Sequence, residues 1–361
     1  MYCTILVGKI VKRIIIYLVF LGIVSILTLY FLNNFGNTIE WGKIIGFFLA
    51  NFWGLYGVIS LLISWLADAM ITYILMNKLD NKPFTFSKSF NMSIIGTFFN
   101  KLSPASTGGG IFQIAYLKRN GVNFGNSFSV VELRFIIKQS AMVLMAIVGF
   151  MTALTIMKRD QLTLFLTLIG FVLSVSGILI LILINVSPAI RNYLLRITKW
   201  AINLLRFSKK FKSKIPEFNK KAEKEFDNYV QSTKIISQNW PVMIFAFLFA
   251  IISALAHLFL AFAAIQSFGI FENVPKGFLD VIAVQAIATM IIYFSPTPGS
   301  AGIAEGGFYL FFSTLVPLKF LSTVTLEWRI LSYFVPLILS GLIFFGGSIN
   351  RMMLKDKNSK S

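Results

Sequence analysis

Apolar residues along this chain gather in long runs rather than alternating with polar ones. Six of these runs stand out, at about 14–32, 44–76, 127–157, 161–186, 240–267 and 327–349. About 20 apolar residues in a helix cross the hydrocarbon core of a bilayer, so each is long enough to span it. Two further runs, 90–117 and 277–316, are apolar but broken in the middle. The breaks read Ser103-Pro104-Ala105-Ser106-Thr107-Gly108-Gly109-Gly110 and Ser295-Pro296-Thr297-Pro298-Gly299-Ser300-Ala301-Gly302. Proline removes a backbone donor and glycine favours turns, so neither run is one continuous helix. The pattern predicts a single all-α integral membrane domain over 1–361, with about six full spans and two re-entrant broken-helix hairpins.

Composition agrees. Hydrophobic residues make up 57% of the 361 and charged ones only 13%, against roughly a quarter charged in a soluble domain. The net charge of +19 would suit nucleic acid, but its placement follows topology instead. If both broken runs are hairpins, segments 1–13, 77–126, 187–239 and 350–361 share one side. Their net charges are +3, +5, +8 and +3, the whole of the +19. Basic loops stay cytoplasmic, so both termini are expected there, in the cytoplasmic membrane. Two full crossings in place of the hairpins would put the basic loop 187–239 outside. The run 14–32, preceded by Lys9, Lys12 and Arg13, reads as a retained first helix.

This topology predicts an inverted repeat. Each half, 1–157 and 161–349, reads span, span, hairpin, span, with the hairpins at 90–117 and 277–316. Both tips open on Ser-Pro and become glycine-rich. Glu132-Leu133-Arg134 and Glu327-Trp328-Arg329 follow the first Ser of each tip by 29 and 32 residues. Inverted repeats whose broken helices meet near the midplane mark many secondary transporters. The insertion 187–239 is the one long polar stretch. Ile190, Leu194, Ile197, Ala201 and Leu204 recur there at helical spacing, with Trp200 placed for the headgroup region. The stretch from Lys209 to Lys234 reads as a solvated helix or linker.

Candidate chemistry concentrates at the breaks. Irregular backbone at membrane depth is tolerated only inside protein or around a wet cavity, and helix N-termini attract anions. Ser103, Ser106, Thr107, Gly108 and Gly109 on one tip, with Ser295, Thr297, Gly299 and Ser300 on the other, would supply amides and hydroxyls to an anionic headgroup. Arg134 and Arg329 have a geometry that suits phosphate. Asp68, Glu132, Lys138 and Glu327 are the other charges inside spans, which usually pair or face water. The two triplets are expected to pair across the interface between the halves. Glu305 and Gln113, each ten residues past the Ser of its tip, carry either coupling or structural roles. His257 reads as an interhelical hydrogen-bonding group near Ser253. Tight packing of Gly and Ser alone is the alternative for the tips. One cysteine, Cys3, and one histidine leave no disulfide framework and no multi-histidine metal site. No cofactor is expected.

The stretch Ser103 to Gly110, with Gln113 and Tyr116-Leu117-Lys118-Arg119-Asn120-Gly121, resembles the first signature of the flippase-like membrane domain of lysylphosphatidylglycerol synthases. Pro296-Thr297-Pro298-Gly299, Gly302, Glu305-Gly306-Gly307 and then Glu327, Arg329, Tyr333 and Pro336 resemble its second. Many relatives carry an acidic or amide residue at the Gly110 position and proline at Ile111. The resemblance implies movement of lipids between leaflets, with membrane lipids bearing an anionic headgroup as partners. It also implies that the soluble aminoacyltransferase domain of the full-length synthases is absent, since the sequence stops at Ser361, so lysyl transfer is not expected. No phosphate-binding G-x-x-x-x-G-K-[ST] loop occurs. A phospholipid, an aminoacylated lipid and a polyprenyl phosphate all fit. Two rivals stay open: a non-catalytic partner of an envelope-synthesis enzyme acting through 187–239, and an intramembrane transferase using Glu305 or Glu132 as base.

Overall fold

The computed structural model describes residues 19–20, 22–33, 39–79, 83–156, 161–204, 214–271 and 274–358. The basic N-terminus, Cys3, the start of the first run and Lys209 lie outside them. Among the described residues the protein is all-helical and contains no strand. It is a multi-pass membrane protein: among the described residues five helices are long and apolar enough to cross a bilayer.

The first run contributes α1 (Gly22–Asn33). The run 44–76 differs from expectation, because it is two helices, α2 (Trp41–Leu49) and α3 (Trp53–Leu79). Thirty-three residues in one helix would reach about 50 Å, well beyond a core of about 30 Å. The chain turns at Phe52, whose φ is 59°. There the Asn51 amide donates to the carbonyl of Ser267 at 3.0 Å.

The first broken run forms α4 (Phe86–Leu102) and α5 (Gly108–Arg119), folded back on each other. Gln113 Nε2 donates to the Met92 carbonyl and the Gly109 amide to Asn100 Oδ1, the reversed order of an antiparallel pair. Helix α6 (Phe124–Ile156) follows, its start capped by Asn123, which accepts from the Asn126 amide at 2.8 Å. Then come α7 (Gln161–Val186) and α8 (Pro188–Leu204), the amphipathic helix the spacing predicts, with Trp200 exposed.

The stretch expected as a solvated helix or linker is helix α9 (Ile215–Ser237), exposed at Glu217, Lys220, Lys221, Glu223 and Lys224 but seated on α6 further along. Tyr229, Ser232, Thr233 and Ile236 are buried, because α6 is long enough to project beyond the bilayer and offer α9 a seat. Glu225 accepts the Gly125 amide at 2.7 Å, placing a negative charge at the α6 N-terminus where the helix dipole favours it. Ser232 donates to Asn126 at 2.7 Å, and Ser129 bonds Thr233 at 2.8 Å.

The second half continues with α10 (Trp240–Gln266), the broken pair α11 (Val274–Ile292) and α12 (Ile303–Phe312), and α13 (Leu318–Arg329). A π-helical turn, Ile330–Phe334, joins α13 to α14 (Val335–Asn358). The last span therefore begins nine residues before Glu327 rather than at it. Glu132 likewise lies eight residues inside α6.

Helices α3 and α10, both 27 residues long, form the most extensive helix contact and run antiparallel. At their crossing Ser64 Oγ donates to the Ser253 carbonyl at 3.1 Å, and Ser253 Oγ returns a bond to the Ser64 carbonyl at 3.2 Å. Ser60 Oγ adds a third, to the Ala256 carbonyl at 2.8 Å. Small residues such as Ala250, Ala254 and Ala261 are buried along α10 and let backbones approach where water supplies no hydrophobic drive. Large apolar side chains point outward instead. On α7, Leu162, Phe165, Leu168, Val172, Leu179 and Leu183 are exposed, as a hydrocarbon-facing surface requires.

Candidate functional site

The two breaks are built alike and touch. Each contains one turn of 3-10 helix opened by proline, Pro104–Ser106 and Pro298–Ser300. In each, the second and third residues are left-handed: φ is 48° and 51° at Ala105 and Ser106, and 62° and 58° at Gly299 and Ser300. The equivalent of Pro104 is therefore Pro298, not Pro296 as the repeated Ser-Pro suggests. Glu132 then lies 28 residues after its proline and Glu327 lies 29 after its own, a closer match than the sequence register gives. Glu305 consequently aligns with Ile111 rather than with Gln113. The Ala105 amide donates to the Ser295 carbonyl at 2.9 Å, joining one tip to the other.

Most of the predicted tip donors have internal partners. The Gly108 amide bonds Ser103 Oγ at 2.7 Å, the Gly109 amide bonds Asn100, and the Gly302 amide bonds Glu305 Oε2 at 2.7 Å. Thr107 Oγ1 donates to the Pro104 carbonyl, Thr297 Oγ1 to the Ala301 carbonyl, and Ser300 Oγ to the Ile292 carbonyl. Ser295 and Thr297 share a hydroxyl contact of 2.9 Å. These groups hold the turns in shape, which leaves the side-chain cations as the more open chemistry.

Arg329 is the centre of the second tip. It is buried, its Nε lies 2.8 Å from Glu305 Oε1, and its Nη2 donates to the Gly299 carbonyl at 2.5 Å. The Nε approach is an ion contact rather than an aligned hydrogen bond. Glu305 is fully buried and also accepts from Thr28 on α1 at 2.6 Å. It fills the structural role expected of it, accepting the N-cap amide of Gly302 at the start of α12, while its other oxygen pairs with Arg329. The Tyr333 ring stacks on the arginine, with Cζ 4.3 Å from its centroid. Gly299 permits this twice over: its φ is left-handed, and a side chain there would collide with Tyr333.

The first tip is served differently. Arg134 is buried and binds Asp68 through Nε at 3.2 Å and through Nη2, with Ser93 of α4 bonded to the same carboxylate. Lys138 is a second cation on Asp68, at 2.8 Å. Asp68 thus has the basic neighbour expected of it. The expectation that the triplets pair across the halves is overturned. Each arginine finds its acid within its own half, because α3 faces α6 at the depth of Asp68, and α12 packs against α13 at the depth of Glu305. Glu132 instead accepts from Asn185 of α7 at 3.2 Å, and Tyr229 of α9 donates to that same Asn185 at 2.9 Å. Burial first, then the charge of Glu132, raises the Tyr229 phenol above its ordinary range, so it remains a donor. Glu327 accepts from Ser267 at 2.7 Å. At Ser253 the interhelical partner is Ser64; His257 lies one turn further along α10.

Sequence reasoning missed Lys101 and underused Tyr333. Lys101 lies in the last turn of α4, and its Nζ lies 6.0 Å from the centroid of the Tyr333 ring, whose hydroxyl donates to the Lys101 carbonyl. A cation two residues before a Ser-Pro break was the available signal. Among the described residues no three His, Cys, Asp or Glu side chains converge, so no metal centre is described.

A model of the lysylphosphatidylglycerol synthase transmembrane region matches residues 14–340. The chain belongs to that family. It is also 25% identical over 307 residues to a UPF0104 membrane protein of Archaeoglobus fulgidus, covering 82% of this chain and 85% of the relative. No solved structure matches it. In this member of the lysylphosphatidylglycerol synthase transmembrane family, the matched region contains both tips, both arginine clusters and the α9 seat on α6.

Proposed function

We propose that this protein moves an anionic lipid between the two leaflets, its headgroup passing the paired tips while its acyl chains stay in hydrocarbon. The observation that carries this reading is the contact of two broken-helix tips beside the buried Arg329–Glu305 pair and the half-buried Lys101. Broken backbone at membrane depth is tolerated inside protein or around a wet cavity, and such a cavity suits a polar headgroup. The antiparallel pairing of α3 and α10, with reciprocal serine bonds, suits two inverted halves related by a pseudo-twofold axis. The distribution of basic loops supports entry of the first hairpin from the cytoplasm and of the second from outside.

Leaflet exchange of fluorescent lipids in liposomes holding the purified protein tests this. Exchange is expected to be headgroup-selective, and Arg329→Ala or Glu305→Gln to reduce it strongly. No exchange of any lipid by folded protein, with and without an imposed ion gradient, would contradict it. The partner reading draws on the exposed Lys220, Lys221 and Lys224 of α9. Neutralising these three leaves exchange unchanged if the protein is a transporter and removes function only if α9 recruits an enzyme.

A further inference from the structure

The buried acids among the described residues divide into two kinds. Asp68 and Glu305 each face an arginine, whereas Glu132 and Glu327 form no ion pair there. Glu132 rests on the Asn185 amide, a group with two protons to give. Glu327 is fully buried and has less. Its Oε1 has no hydrogen-bond partner, and its Oε2 meets Ser267 Oγ at 2.7 Å. The same Ser267 Oγ also lies 2.7 Å from the carbonyl oxygen of Ala264. A hydroxyl has one proton, so Ser267 donates in full to only one of these two oxygens.

The Ala264 carbonyl has the stronger claim. It is fully buried in the last turn of α10, where carbonyls have no helical amide ahead of them. The Phe268 amide, next in line for it, bonds the Ile265 carbonyl instead at 3.3 Å, and the Ser267 amide bonds that of Ala263. An ionised Glu327 would need the serine proton for itself and orphan this carbonyl, which burial makes costly. A neutral Glu327 needs nothing from the serine: Oε2–H donates to Ser267 Oγ, and Ser267 Oγ–H donates to Ala264. Every proton is then used once. The negative end of the α10 dipole lies at the same place and disfavours a carboxylate.

The neighbouring charges leave Glu327 unanswered. On the elements packed against α13, α2 carries Lys43, with Glu40 just before it, and α10 carries His257. Helix α12 carries Glu305 and Tyr309, the π turn carries Tyr333, and α13 itself carries Lys319 and Arg329. Arg329 is taken by Glu305, Lys43 and Lys319 are exposed, and His257 lies ten residues before Ser267 along α10.

We propose that Glu327 is a proton-binding site, held as a neutral carboxylic acid, and that its proton is the ion coupled to lipid movement. The coupling rests on the lipid-moving reading; the site does not. Release breaks the Oε2–H bond, the proton leaving to water and the electron pair staying on the carboxylate. A buried carboxylate without a cation is costly, so α13 shifts to bring it to water or to Lys43. Arg329, which holds Glu305 and the Gly299 carbonyl of the second tip, sits two residues along and moves with it. The π-helical turn Ile330–Phe334 follows directly, an irregularity at which helices kink.

Infrared difference spectroscopy of the reconstituted protein reads this proton through the C=O stretch of a neutral carboxyl group. At neutral pH the wild-type protein is expected to show a band that Glu327→Gln lacks. The melting temperature should hold, because glutamine keeps a donor for Ser267. Ser267→Ala should shift the same band, a reading that does not depend on the glutamine variant folding. No band lost in Glu327→Gln and none shifted in Ser267→Ala would show an ionised Glu327 and overturn the proposal. Leaflet exchange in liposomes, with the membrane potential clamped, tests the coupling. One proton per lipid predicts that a gradient of about one pH unit biases the labelled lipid between leaflets by up to about tenfold. Glu327→Gln should abolish that bias. Wild-type exchange indifferent to the gradient would refute the coupling. No exchange under any condition would remove the lipid-moving reading and the coupling together, while the infrared band would still decide the proton site.

Discussion

The two arginines of the repeated triplets have been given different jobs. Arg329 is tied to its own hairpin: it holds Glu305 on the returning helix α12 and the Gly299 carbonyl of the turn. Arg134 does not hold the first tip in this way. It binds Asp68 on α3 and reaches the hairpin only through Ser93, well before the turn. The second tip is thus locked to its span by charge. The first is held by the contact of Ala105 with Ser295 and by hydroxyls of its own turn. A duplicated motif keeps its place in the chain while the acid that answers it changes helix. One tip becomes a fixed wall, and the other is the one with fewer ties.

Substitutions that separate the two clusters sharpen this contrast. Arg329→Ala should be the most damaging, because Glu305 would remain buried with only Thr28 and one amide; breaking such a pair costs about 3–5 kcal/mol. Arg134→Ala should cost clearly less, since Lys138 still faces Asp68. Denaturant melts in detergent compare the two, and equal losses would erase the distinction. Next in size is Gly299→Val, expected to cost about 2–4 kcal/mol from backbone strain and collision with Tyr333. The same measurement on Ala105→Gly should show a gain of a few tenths to about 1 kcal/mol, because the first tip already carries a side chain in the left-handed region. The smallest effect belongs to the α3–α10 crossing, where Ser64→Ala and Ser253→Ala should each cost about 0.6 kcal/mol. There the reciprocal bonds predict near-equal losses from the two sites.

Much of the architecture is legible in the sequence, because lipid solvent imposes long apolar runs and Pro-Gly breaks interrupt them. Both broken helix pairs, 86–119 and 274–312, fall close to the runs read from the sequence, 90–117 and 277–316. The register between them does not, since Ser295-Pro296 imitates the Ser103-Pro104 opening while the turn itself forms at Pro298. The division of 44–76 was foreshadowed only by its excess length. The buried face of α9 escaped notice because Tyr229 and Ile236 sit among charges, and their burial needs the projecting start of α6. Arg329, Arg134, Asp68 and Glu305 stood out as charges in apolar surroundings. Their pairing did not, nor did the contacts by which Thr28 and Lys101 meet Glu305 and Tyr333 from more than 200 residues away. Spacing cannot reveal contacts of that range.

The opposed orientation of the two halves is the claim on which the transport reading hangs, and single cysteines in a Cys3-free background test it directly. Asn123 lies between the first hairpin and α6, and Thr314 lies between the second hairpin and α13; both are exposed. An impermeant maleimide applied to intact cells, then to inverted vesicles, reads the side of each. The account predicts that a cysteine at 314 reacts only from outside and one at 123 only from the cytoplasm. Both reacting from the same side would contradict it.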